Sequence, residues 1–267
     1  MAVPDTNTFS FIDVSRSVYD LRYGLRNLNQ AFIDADDALF DLNYKGSKNN
    51  LLNFRNYNQS VTDYDGNVYP IITIGTQVWM AQNLKVKHYN DGTPLLNCTT
   101  LSLWNANRNI CYNYWNNVDY DTLNGWKFGL LYSGNVATGW GGAKNIAPIG
   151  WHVPTLAEFT TLATYLGGAS VAGGKLKSTP IANGSWNTPN TGATNSTFFN
   201  GIGAGMYQDP FDSTGWQGLG SFLQMWSQTI QATNHLYSPY LQYNGNYMTL
   251  TNYSSYAWGY SIRCIKD

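Results

Sequence analysis

Charge is scarce in this chain. Only 12% of its 267 residues are Asp, Glu, Lys or Arg, and the formal net charge is −1. That balance leaves no electrostatic footprint for DNA, RNA or an acidic membrane, so no nucleic-acid partner is expected. No apolar run approaches the roughly 20 residues of a membrane-crossing helix, so no membrane insertion is expected either. The opening residues Met1 to Thr6 lack the basic and apolar regions of a secretion signal. Cysteine is thin, with Cys98, Cys111 and Cys264 alone. Cys98 and Cys111 could close a short loop and leave Cys264 unpaired, but spacing does not decide connectivity. His88, His152 and His235 are scattered, and no Cys/His spacing suits zinc. Asp63 and Asp65 suggest a calcium loop only superficially, because the glycine is misplaced and the twelfth residue is Ile74 rather than Glu. No metal or cofactor is expected.

What the chain does contain is glycine (26 residues) and aromatics (15%). With little charge and no low complexity, that composition points to an ordered, loop-rich surface of the extracellular or virion type. From Ser213 to Ile262 no charged residue occurs at all. Inside that stretch Tyr237, Tyr240, Tyr243, Tyr247, Tyr253, Tyr256 and Tyr260 alternate with Asn and Ser. Tyr offers broad, stiff, amphipathic contact area, and Ser, Gly and Asn supply adaptable hydrogen bonds, as in an antibody combining site. The competing reading is a sheet-rich core with Tyr at strand positions.

Residues 1–58 differ from the rest. Phe11, Val14, Val18, Leu21, Leu25, Leu28, Phe32, Ala35 and Leu39 recur at spacings of three and four, an a/d stripe. Gly24 and the run Asn27 to Gln30 allow two shorter helices instead. The segment predicts either a helical hairpin on its own domain or a bundle shared between subunits. From Val61 the texture becomes β and loop. Asp65-Gly66 predicts a turn before a strand over Val68 to Ile74, and Gly75-Thr76 a turn into Gln77 to Met80. Thr155-x-x-Glu158 forms a capping box for a helix with Leu156, Phe159, Leu162 and Leu166 on its apolar face, closed by Gly167-Gly168. Near the end, Tyr260, Ile262, Cys264 and Lys266 alternate with Ser261, Arg263 and Ile265 as one final strand would. The pattern is α+β.

Six ordered strings carry a family resemblance. They are Asp65 to Tyr69, Ile74 to Leu84, Cys111-Tyr112 with Gly129 to Tyr132, Pro148 to Thr155, Trp226-Ser227, and Gly259 to Cys264. Over residues 61–267 the chain resembles the Fibrobacter succinogenes major paralogous domain. The resemblance implies a C-type-lectin-like fold of the formylglycine-generating-enzyme subtype. It implies that Trp79, Met80, Asn83, Trp151, His152, Trp226 and Arg263 hold the fold. Ala147 stands where the family commonly has Cys, which removes the usual partner of Cys264. None of the three cysteines sits in a copy of the formylglycine-generating site, so a non-enzyme is expected. Gly46 to Tyr57 is similar to N-terminal segments of structural proteins from Bacteroidales phages and prophages.

Proteins of this layout resemble the variable targets of diversity-generating retroelements, whose template adenines are rewritten. Adenine replacement in AAC or AAT codons never yields Lys, Glu, Gln, Met or Trp. Between Thr229 and Tyr256, Gln231, Gln242 and Met248 would then be fixed positions. The expected ligand contacts are Thr229, Asn234, His235, Tyr237, Tyr240, Tyr243, Asn244, Asn246, Tyr247, Asn252 and Tyr253. The reading is a phage receptor-binding or tail adhesin on the virion surface, binding a bacterial surface glycan or protein. Residues 1–58 would attach it to other virion proteins or assemble a homo-oligomer, a trimer by preference. The alternative is a structural virion protein without a receptor role.

Overall fold

The computed structural model describes residues 60–107, 110–114, 128–139, 143–179, 186–208 and 215–267. The heptad segment over 1–58 lies outside them. Strands β1 (Ser60–Thr62), β2 (Val68–Ile74) and β3 (Gln77–Met80) come first, then β4 (Leu96–Asn97), helix α1 (Leu101–Ala106) and β5 (Cys111–Asn113). After β6 (Leu131–Ser133), α2 (Gly134–Ala137) and β7 (Trp151–His152) come helices α3 (Leu156–Tyr165) and α4 (Ala169–Leu176). The remainder is strand: β8 (Ala204–Tyr207), β9 (Trp216–Leu219), β10 (Phe222–Gln224), β11 (Ile230–Ala232), β12 (His235–Tyr237) and β13 (Tyr240–Gln242). The last four are β14 (Met248–Thr249), β15 (Tyr253–Ser255), β16 (Gly259–Tyr260) and β17 (Ile265–Lys266). The architecture is mostly β-sheet with a few short helices, within the expected α+β class.

Local chemistry explains the first hairpin. The Asp63 carboxylate accepts from the backbone N–H groups of Asp65 (3.0 Å) and Asn67 (2.9 Å), and Gly66 takes φ 80° in the turn. Strands β2 and β3 then pair antiparallel from Ile74↔Gln77 to Ile71↔Met80 around Gly75, at φ 64°. Both strands fall where the turn signals predict.

Helix α3 starts on the expected capping box. Thr155 Oγ1 accepts from Glu158 N at 3.2 Å, and Glu158 Oε2 accepts from Thr155 N at 2.7 Å. Its end is a Schellman turn on the two glycines. Gly168 N donates to Ala163 O (2.8 Å) and Gly167 N to Thr164 O (3.0 Å), at φ 101° and 94°. Helix α4 was not expected, because Gly173 and Gly174 each cost roughly 1 kcal/mol in a helix interior.

Five strands form a sheet in the order β1-β2-β3-β17-β7, so the C-terminal strand sits between β3 and β7. Ile265 pairs with Trp79 on one side and His152 on the other. A larger sheet runs β14-β13-β10-β8-β16-β6-β5-β4 with β9 on β8, and β11-β12-β15 form a third. Two large apolar cores and a smaller one lie among the described residues. Tyr69, Met80, Trp151, Trp226, Tyr260 and Ile262 belong to the first. Trp79, Phe159, Leu162, Leu176, Leu223, Leu241 and Met248 belong to the second.

Trp79 and Met80 are chain neighbours in different cores, because successive strand side chains point to opposite faces. The same position between cores corrects the single final strand expected over Tyr260 to Lys266. Residues 261–264 form no strand and separate β16 from β17. Ile262 and Cys264 enter the first core and Ile265 the second, while Ser261 and Arg263 are also fully buried.

Candidate ligand-binding surface

The uncharged C-terminal stretch builds two adjoining aromatic regions. Register defines the first. In β12, Leu236 is buried while His235 and Tyr237 on either side are half-buried; in β15, Ser254 is buried and Tyr253 exposed. Tyr237 lies directly opposite Tyr253 and His235 opposite Ser255. The His235 and Tyr253 rings meet edge-on at 5.9 Å and 77°. Three rings therefore share one outward face. The β11–β12 turn is made by Asn234 at φ 61°, and Asn234 is exposed.

A buried polar network supports this face from beneath. Ser238 Oγ and Ser254 Oγ are 2.7 Å apart, and Gln224 Nε2 donates to both at 3.1 and 3.3 Å. Tyr260 OH donates to Ser254 Oγ at 3.0 Å, and Gln208 Nε2 donates to Tyr260 OH at 2.9 Å. Burial pushes the Tyr260 phenol well above its ordinary pKa, so it stays a neutral donor. A network with its members satisfied this way fixes one arrangement of the strands it joins.

The second region is the β13–β14 connection with Tyr240, Tyr243, Asn244, Asn246 and Tyr247. Tyr240 packs edge-on against Phe222 at 6.0 Å, and Tyr247 OH donates to Gln242 Oε1 at 2.9 Å. Lys177, fully buried at the C-terminus of α4, anchors the connection. Its ammonium donates to the carbonyl oxygens of Gly245 (2.8 Å), Gln242 (2.9 Å) and Thr191 (2.9 Å), with Tyr243 O at 3.5 Å. Burial pulls its pKa down to about 8, which leaves the ammonium predominant at neutral pH.

The two glycines of α4 now have their reason. A Cβ on Gly173 would lie 2.0 Å from Tyr247 O, and one on Gly174 would lie 1.9 Å from Asn246 Oδ1. Gly174 N donates to Asn246 O at 2.9 Å. Bare helix backbone is what lets the aromatic connection approach so closely.

The frame around these regions is made by residues expected to hold the fold. Arg263, fully buried and without a carboxylate partner among the described residues, donates from Nε (3.1 Å) and Nη2 (2.8 Å) to Asn83 Oδ1 and from Nη1 to Phe199 O, and lies over the Phe199 ring at 4.2 Å. Burial draws its pKa down to about 9. Trp226 Nε1 donates to Tyr132 O at 2.7 Å. His152 binds Glu158 Oε1 through Nε2 (2.8 Å) and Asp267 Oδ1 through Nδ1 (2.6 Å), joining α3 to the last residue. Cys98 and Cys111 are disulfide-bonded, and Cys264 is a buried free thiol in the same core as Ala147.

None of the eleven expected contact positions is buried. Asn234, Asn244, Tyr247 and Tyr253 are exposed, and the other seven are half-buried. Four of those seven already serve the fold. Thr229 Oγ1 accepts from Leu156 N at the start of α3 (2.9 Å), and Asn252 Nδ2 donates to Ser238 Oγ (3.0 Å). Asn246 fills the space beside Gly174 and Gly192, and Tyr243 packs against the second core. His235, Tyr237 and Tyr253 converge on one face; Tyr240, Tyr243, Asn244, Asn246 and Tyr247 gather on the Lys177-anchored connection. Lys177, Gln224, Ser238 and Ser254 were not anticipated. Lys177 looks like an ordinary cation in the last turn of a helix, where Lys175 is equally at home.

The aromatic and amide surface thus stands on a buried polar frame within a β-rich domain. The chain belongs to the Fibrobacter succinogenes major domain family, whose pattern matches residues 72–266. The match begins inside β2 and runs into β17. No curated protein and no solved structure matches the chain.

Proposed function

We propose that this protein is a phage receptor-binding or tail adhesin. Residues 61–267 form a C-type-lectin-like ligand-binding domain in this reading, and the return of β17 between β3 and β7, which closes the domain on itself, supports that fold. Residues 1–58 attach it to other virion proteins or oligomerise it, as a trimer by preference. The surface of Tyr, Asn and Ser meets a bacterial surface glycan or protein, and several copies on one particle multiply weak single sites.

One observation carries the reading. In the uncharged stretch all eleven contact positions reach solvent, and among the residues interleaved with them Leu236, Ser238, Leu241, Met248 and Ser254 are buried beneath, while Gln231 and Thr251 share the surface. A surface that varies over an invariant support needs that separation. Met248, which adenine rewriting cannot produce, is a core residue.

The test is adsorption of the full chain to a panel of Bacteroidales strains. Replacing Tyr237, Tyr247 and Tyr253 together with Ser is expected to abolish it. Tyr243 is left alone because it packs against the core. Undiminished adsorption by the triple variant retires the surface. Flanking DNA tests the diversification part: a second copy of the 3′ coding region differing only at adenines, beside a reverse-transcriptase frame, is the expected finding.

A further inference from the structure

We infer that the outward face of β12 and β15 is a stacking subsite for neutral hexopyranose units of a surface glycan. The inference rests on the adhesin reading and specifies its ligand class. Tyr237 and Tyr253 stand opposite each other across the strand pair, and the His235 ring abuts Tyr253 at 5.9 Å. Tyr253 is 52% exposed. Among the described residues neither phenol oxygen of the pair has a hydrogen-bond partner, so both hydroxyls are open to a ligand.

A pyranose presents an apolar C–H face and a rim of hydroxyls. The slightly positive C–H bonds match the negative face of an aromatic ring. Ser255 lies opposite His235 on this face, and Asn234 in the β11–β12 turn, Gln231 in β11 and Thr251 just before β15 are exposed. These groups can each donate and accept, as sugar hydroxyls require.

Charge selects among possible occupants. No Asp, Glu, Lys or Arg occurs from Ser213 to Ile262, so apart from the His235 imidazole the two strands offer no charged side chain to an acidic polysaccharide or a charged protein patch. A neutral glycan leaves no ion unpaired there. The outward positions of β12 and β15 hold His235, Tyr237, Tyr253 and Ser255. Tyr serves protein interfaces as well as sugars, so the choice between them falls to the periodate and protease arms of the test. Ile230 is exposed nearby, but it pairs with the inward Leu236 at the sheet edge. The Ser238–Ser254–Gln224 network below fixes the strands that carry the rings before any ligand arrives, which lowers the ordering cost of binding.

The experiment titrates the full chain with neutral gluco-, manno- and galacto-oligosaccharides, and with an oligogalacturonate as the acidic counterpart, by calorimetry and ligand-observed NMR. At least one neutral series is expected to bind with a Kd near ~1 mM, as suits a shallow single site. That binding should be unchanged by added salt. Tyr253→Ala is expected to weaken it about tenfold and Tyr253→Phe to retain it, with near-UV circular dichroism unchanged in both. Cell adsorption is measured in parallel after periodate, which cleaves sugar diols, and after protease. Periodate-sensitive adsorption agrees with the subsite. Three results overturn it: binding to the acidic series alone, neutral binding untouched by both Tyr253→Ala and Tyr237→Ala, or adsorption lost to protease and indifferent to periodate. The last would leave the adhesin standing with a protein ligand. Failure of the wild-type chain to adsorb at all would remove the adhesin reading, while the titration still judges the subsite by itself.

Discussion

Lys177 donates to the carbonyl oxygen of Gly245 at 2.8 Å across a sequence separation of 68 residues. The same ammonium holds Gln242 O and Thr191 O, so one buried cation fixes the main chain beneath Tyr243, Asn244 and Tyr247. Lys177→Met keeps most of the stem and removes every donor. An acceptor left without its partner costs about 1–3 kcal/mol when buried. Gln242 and Thr191 have some access to water, so the expected loss is about 2–3 kcal/mol in chemical denaturation. Lys177→Arg is expected not to rescue it, because a planar fork cannot serve carbonyls converging on one point. Ligand affinity should fall in both variants although neither touches the ligand.

Gly174→Ala is expected to reverse the usual sign of that substitution. In a helix interior the change normally gains roughly 1 kcal/mol. Here the new methyl group would meet Asn246 Oδ1 at 1.9 Å and Gly192 O at 2.2 Å, both shorter than any contact. Either α4 or the Asn246 connection must move. Thermal denaturation should show a lowered Tm for Gly174→Ala and for Gly173→Ala. The exposed Ser170→Ala on the same helix should match or exceed wild type.

Local signals were the readable ones. Thr155 and Glu158, the Gly167-Gly168 stop and the Asp65-Gly66 turn act within a few residues, and each element they announce is present where expected. Helix α4 was hidden because Gly173 and Gly174 count against a helix locally, and the contact that requires them comes from Asn246 and Tyr247. Tyr260 to Lys266 read as one strand because alternation implies two faces, yet both faces there are buried in separate cores. The contact positions chosen from composition all reach solvent, but composition did not reveal which were already engaged. The Asn252 amide and the Thr229 hydroxyl are held by Ser238 and by the start of α3. No spacing rule could announce those bonds.

The Cys98–Cys111 disulfide closes a loop of separation 13 around α1, and both residues lie in a small core with Trp104 and Tyr207. Limiting the unfolded chain over such a loop is worth about 3 kcal/mol. The Cys98→Ala/Cys111→Ala double variant is therefore expected to unfold at lower denaturant by about that amount. Cys264 is fully buried, and burial raises its thiol pKa, so it should resist thiol reagents until the protein unfolds. Thiol titration across the denaturation curve checks both statements. Reaction of Cys264 in the native state would contradict the second.

His152 gives the protein a pH dependence of definite sign. Burial alone would lower its pKa, but the bonds to Asp267 and Glu158 outweigh burial and raise it above the ordinary value. The folded state thus holds the proton more tightly than the unfolded chain. The stabilisation is complete below the unfolded value of about 6.5 and fades as pH rises through the higher folded value. His152→Asn should therefore destabilise most below about pH 6.5 and progressively less as pH rises into mild alkali. Urea unfolding of both proteins over that range measures the difference. Asp267→Asn should shift the His152 imidazole titration to lower pH in NMR while α3 stays capped, since the cap uses Glu158 Oε2 on Thr155 N. A difference between wild type and His152→Asn that grows with pH would show that the two carboxylates do not hold a charged imidazole.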